Sequence, residues 1–116
     1  MNKILVLILI FFGEAIVILA EMLGAKNHSI SSQLFTVIFG KMFLVMTVGG
    51  ALLVSGYIWG YSVFKNIWIV SAISITSILL IEPTLAYFIF HELPTKGALI
   101  GLLLGATGLA AALFVK

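Results

Sequence analysis

ILVLILIFFGEAIVILAEML, residues 4–23, decides the fold class. It is twenty residues long and holds two ionisable side chains, Glu14 and Glu21. A helix that crosses the hydrocarbon core of a bilayer needs about 20 predominantly apolar residues. The stretch reads as a membrane span with two carboxyl groups set into it. A secretory leader fits Lys3 and the apolar run that follows. The two glutamates inside the run and the lack of an A-x-A cleavage pattern argue against it. A membrane β-barrel is not expected, because the run is continuously apolar and does not alternate.

Three further stretches repeat the pattern: residues 34–61, 67–90 and 98–115. Polar segments separate the four: GAKNHSISS (24–32), SVFKN (62–66) and HELPTKG (91–97). The expected fold is an all-α integral membrane protein. It is a single domain over 1–116, a bundle of four transmembrane helices whose short connections make sequential helices antiparallel neighbours. Composition agrees. The 116 residues are 63% hydrophobic and 9% charged, where a soluble domain carries about 25% charged residues. The chain has no cysteine, which removes disulfides, zinc–thiolate sites and cysteine nucleophiles from consideration. Its net charge of +2 comes from scattered lysines without arginine, so nucleic acid is not an expected partner.

The second stretch is overlong, at about 40 Å of helix against a core of about 30 Å. Either it tilts, or Lys41 marks where the span enters the membrane and LFTVIFG (34–40) lies at the interface or packs on protein. Orientation is weakly specified. Lys3, Lys65 and Lys116 fall on one side, Lys26 and Lys96 on the other. That margin allows one topology with both termini in the cytoplasm, or dual insertion with antiparallel pairing.

An ionisable side chain at depth costs at least about 2.5–3.5 kcal/mol and is a functional candidate for that reason. Glu14 is mid-span, where a carboxyl can hold a proton and exchange it for a cation. Glu21 follows seven residues later, about 20° around the helix and about 10 Å along it, so the two share one face. Glu21 also lies near enough to the span end to reach interfacial water. Glu82 precedes Pro83, which removes a helical N–H and frees the carbonyl of Leu79. Ser71 and Ser74 approach the face of Glu82. Together Glu14, Glu21, Glu82, Ser71 and Ser74 are the expected substrate- and proton-binding residues. Lys41 is either a counter-ion for one of these acids or a lysine that snorkels from a helix end. His91 and Glu92 belong to a solvated turn. No His/carboxylate spacing suits a metal, no cofactor is expected, and no nucleophile–base pair marks an enzyme.

The fourth stretch carries Gly97, Gly101, Gly105 and Gly108, small residues at helical spacing that let helix backbones approach in lipid. These glycines are the expected helix-packing or dimerisation positions, and Gly49, Gly50, Ser55, Gly56 and Gly60 of the second stretch are expected either to pack or to line a cavity. Tyr57, Trp59, Tyr61 and Trp68 flank the second connection, as an interfacial aromatic belt or a cation-binding box.

FIFHELPTKGALIGLLLGATGLAAALF (88–114) and ILAEMLG (18–24), with four short spans and a first-span glutamate, resemble the drug/metabolite transporter superfamily. Two branches are similar: the small multidrug resistance family and the four-helix relatives of EamA-type transporters. The ILAEMLG match points to Glu21 as the coupling carboxylate, whereas depth points to Glu14. The tyrosine and tryptophan that frame the cationic substrate of the small multidrug resistance family are replaced here by Ser71 and Ser74. Glu82–Pro83 also departs from that family's pattern. The resemblance implies a small secondary transporter in a bacterial or archaeal plasma membrane. It would export a small cationic or amphipathic metabolite, coupled to protons, as a homodimer or paired with a similar small membrane protein. The alternatives are a subunit of a flippase for lipid-linked aminoarabinose and a non-transporting scaffold.

Overall fold

A computed structural model describes residues 3–30 and 34–115, with the side chain of Ile30 excepted. Lys116, counted above for orientation, lies outside the described residues. The chain forms four α-helices: α1 (Lys3–Ile30), α2 (Phe35–Phe64), α3 (Ile67–Phe90) and α4 (Lys96–Phe114). Each is long and apolar enough to cross a membrane, and no strand occurs among the described residues.

Several helix ends differ from the sequence expectation: α2 runs on to Phe64 rather than stopping at Tyr61, and α4 begins at Lys96 rather than Ala98. α1 does not stop at Leu23 but continues through the polar segment to Ile30. Ala25 and Lys26 are strong helix formers, and nothing in AKNHSI breaks the helical pattern. α2 is one 30-residue helix with no separate segment before Lys41. The rings of Phe35, Phe39 and Phe43 follow one another along its surface, with centroids 5.8 and 5.9 Å apart, straight across Gly40. At about 45 Å α2 is the longest element. α3 runs without interruption through Pro83.

The helices join by tight turns with local reasons. Lys65 takes the left-handed conformation (φ 55°), and its N–H donates to the Tyr61 carbonyl at 2.8 Å. Asn66 then starts α3, its side-chain oxygen accepting from the Trp68 N–H at 3.0 Å. His91 ends α3 in the same left-handed way (φ 56°). Thr95 starts α4 by accepting from the Ala98 N–H at 3.1 Å.

α1 is the hub. It packs most closely on α2 and next on α3, while α4 packs against α3 alone. A Cβ added at Gly13 would lie 3.1 Å from the Gly49 carbonyl, and one added at Gly49 would lie 3.1 Å from the Gly13 carbonyl. The two backbones therefore touch at this crossing. Further contacts pair Gly24 with Met42, Ile10 with Gly56 and Val6 with Gly60, so α1 and α2 run in opposite directions. Val6, Ile10 and Val70 form a fully buried core, flanked by Leu53, Tyr57, Val63, Phe64 and Ile73. The Cα envelope measures 49 × 34 × 17 Å, a flat layer rather than a closed four-helix bundle. None of the α4 span is buried. Large apolar side chains such as Phe43, Leu44, Leu80, Phe88, Leu103 and Leu104 are exposed, which water does not tolerate over so wide a surface.

Candidate functional site

The buried core column continues one turn further along both α1 and α3, and there it becomes polar. Glu14 follows Ile10 by four residues, and Ser74 follows Val70 by four. Glu14 is 8% exposed and Ser74 5%. The Ser74 hydroxyl donates to Oε1 of Glu14 across the α1–α3 interface. Gly13, immediately before Glu14, makes the backbone contact with α2, so the carboxylate is carried on the most tightly packed part of the hub. Burying a carboxyl without a hydrogen bond is costly. No buried side-chain nitrogen or oxygen among the described residues lacks a partner.

The remaining acids are placed differently. Glu21 is exposed, although it shares the face of Glu14. Glu82 is exposed toward a cavity of about 480 Å³ between α3 and α4, walled by Leu79, Pro83, Ala86, Phe90, Ala98 and Gly101 among others. Glu92 from the α3–α4 turn and Met22 from α1 complete one end of it. Ser71 lines a separate groove of about 480 Å³ between α3 and α4, with Trp68, Gly105 and Gly108. Of the five residues expected to act together, the structure joins Glu14 with Ser74 and leaves Glu21, Glu82 and Ser71 apart.

Among the glycines of α4, Gly105 comes within 3.5 Å of Leu79 if given a Cβ, while Gly97, Gly101 and Gly108 face open space. The close glycine packing inside the chain belongs instead to Gly13, Gly49, Gly56 and Gly60. Lys41 is exposed on α2, and a serine rather than a lysine meets Glu14. Trp59, Tyr61 and Trp68 are exposed near the α2–α3 turn, while Tyr57 packs on the core. The sequence reading did not single out Lys26, whose ammonium donates to the Ile89 carbonyl at 2.7 Å. Its signal was the helical phase it keeps with Met22, hidden by treating GAKNHSISS as a connection.

Fold and site together define an all-α chain of four membrane-length helices with a buried carboxyl–hydroxyl pair at its hub. Comparison with family models, curated proteins and solved structures found no significant match.

Proposed function

We propose that the chain is a multi-pass membrane protein with sequential helices crossing in alternate directions, and that it works as a small secondary transporter of the drug/metabolite type. The observation that carries the reading is the Glu14–Ser74 hydrogen bond. An ionisable group in an apolar span is retained at considerable cost, and the intramembrane carboxyls of pumps and transporters are the recurrent reason for doing so. Glu14 is the proton- or cation-exchanging group, and Ser74 orients its carboxyl from the facing helix. The α3–α4 cavity supplies the substrate side. Its volume falls in the range of small-molecule pockets. Its charged groups are the carboxylates Glu82 and Glu92 on apolar walls, which suits a cationic or amphipathic guest.

The uncovered α4 favours a paired assembly. A flat layer with α4 attached along one edge encloses no gated pathway by itself, and a second copy seated on the Gly97–Gly108 face completes it. The same open edge suits a subunit that pairs with another small membrane protein.

Flux into proteoliposomes under an imposed pH gradient, measured over a panel of small organic cations, tests the reading. Glu14→Gln keeps the acceptor oxygen for Ser74 and removes the exchangeable proton. It abolishes pH-driven flux while leaving thermal stability near that of the wild type. Ser74→Ala slows flux without abolishing it. Unaltered pH-driven flux in Glu14→Gln refutes the assignment.

A further inference from the structure

We infer that Lys26 is a positioning residue that latches α1 to the end of α3 and thereby governs access to the Glu82 cavity. Lys26 follows Met22 by four residues and so lies on the same face of α1. Met22 supplies the α1 part of the cavity wall. Its neighbour one turn on reaches across to α3, with Nζ 2.7 Å from the carbonyl of Ile89. That carbonyl belongs to the last turn of α3, where helical carbonyls have no N–H partner four residues ahead and the helix dipole is negative. A lysine ammonium satisfies both the missing hydrogen bond and the dipole. The next residue, Phe90, is part of the cavity wall, as are Glu92, Leu93 and Pro94 beyond the His91 turn. The latch therefore ties down the segment that forms one end of the cavity.

The side chain is half-buried, so Lys26 is not a solvated loop charge with its head in water. The latch is also independent of the core, because the buried Val6–Ile10–Val70 cluster lies at the opposite end of α1 and α3. Releasing it frees the Phe90–Pro94 corner without dismantling the hub. The inference deepens the transport reading by naming what controls the cavity, and its test reads access alone, so it stands or falls apart from any flux result.

The chain has no native cysteine, so single cysteines report cleanly. Ala86→Cys places a thiol in the half-buried wall of the Glu82 cavity, and Ser71→Cys places one in the other α3–α4 groove. Labelling by a water-soluble maleimide is timed in each background. Lys26→Met keeps the aliphatic stem and removes the donor. It raises the rate at position 86 about tenfold, the scale of one lost charge-assisted hydrogen bond. The rate at position 71 stays unchanged. Lys26→Arg restores slow labelling, because guanidinium also donates to carbonyls. Should Lys26→Met lose its helical signal by circular dichroism, Lys26→Leu, a strong helix former that also lacks a donor, carries the same comparison. Three results overturn the latch: an unchanged rate at position 86, an equal rise at position 71, or Lys26→Arg labelling as fast as Lys26→Met.

Discussion

Gly49 and Gly50 are adjacent in α2, yet alanine at each has opposite expected consequences. A Cβ at Gly49 would sit 2.8 Å from Val17 Cγ2, 3.0 Å from Ile16 Cγ2 and 3.1 Å from the Gly13 carbonyl oxygen. Comfortable carbon–carbon contact begins at about 3.5 Å. Relief therefore needs a shift of about 0.5–0.7 Å at two β-branched side chains that are stiff at χ1. The Gly13 carbonyl cannot yield unless the whole of α1 moves. Overpacking of this kind costs about 1–3 kcal/mol. Replacing a helical glycine by alanine returns about 0.5–1 kcal/mol through backbone entropy. The net expectation for Gly49→Ala is a loss of about 0–2.5 kcal/mol, which places it about 1–3 kcal/mol below an alanine that gains the entropy without the clash. Nothing lies within 4 Å of a Cβ at Gly50, so Gly50→Ala keeps the entropic gain alone. Reversible unfolding in mixed micelles, followed by circular dichroism, measures both. Gly49→Ala as stable as Gly50→Ala refutes the close α1–α2 crossing.

Lys65 and His91 hold left-handed conformations without being glycine. Lys65→Gly and His91→Gly each raise stability by about 1 kcal/mol, read as a higher unfolding midpoint. A lower midpoint means that the lost side chain mattered more than the backbone. The Gly97→Leu, Gly108→Leu double variant leaves the secondary structure of the isolated chain intact, because a Cβ at either position meets nothing within 4 Å. If α4 is where copies associate, the same variant shifts dimer to monomer in light scattering from detergent. An unchanged oligomer size removes α4 from that role.

The helix content was legible because apolar runs of membrane length leave few alternatives, and residues 67–90 coincide with α3 as found. The ends of α1 and α2 were not: both helices run past the expected 4–23 and 34–61 into the polar segments, because polarity was taken to mark where a helix stops. Polarity marks where water or the interface begins, whereas a helix stops where its hydrogen-bond pattern is broken or capped. AKNHSI contains neither proline nor glycine to force an end, and its Ser29 hydroxyl donates back to the Lys26 carbonyl. Glycine positions were legible as small surfaces, but which ones touch a partner was not. Gly13 and Gly49 gave no stronger signal than Gly101 and Gly105, and only the register of α1 on α2 distinguishes them. The position of α4 at the edge of the layer was illegible for a related reason. Short connections fix which helices are neighbours in sequence, but no sequence rule required α4 to reach α1.

The choice between Glu14 and Glu21 shows what a second helix adds to a charge pattern. On α1 alone the two acids are nearly equivalent, one turn-pair apart on the same stripe. The α1–α3 contacts break the tie. Glu14 meets Ser74, and Lys26 meets Ile89, so residues on α3 level with α1 are numbered 60 to 63 higher. By that register Glu21 stands beside residues 81–84. Buried Ile81 offers no donor, Glu82 brings a like charge, and the Thr84 hydroxyl is already donated to the Leu80 carbonyl. A carboxyl with no free hydrogen-bond donor opposite it is driven toward water, and Glu21 is exposed. Glu14 stays buried because a hydroxyl is placed at its own level. Depth in the span was the sequence argument for Glu14. Partner register accounts for a different fact, that Glu14 is buried against a hydroxyl while Glu21 is exposed.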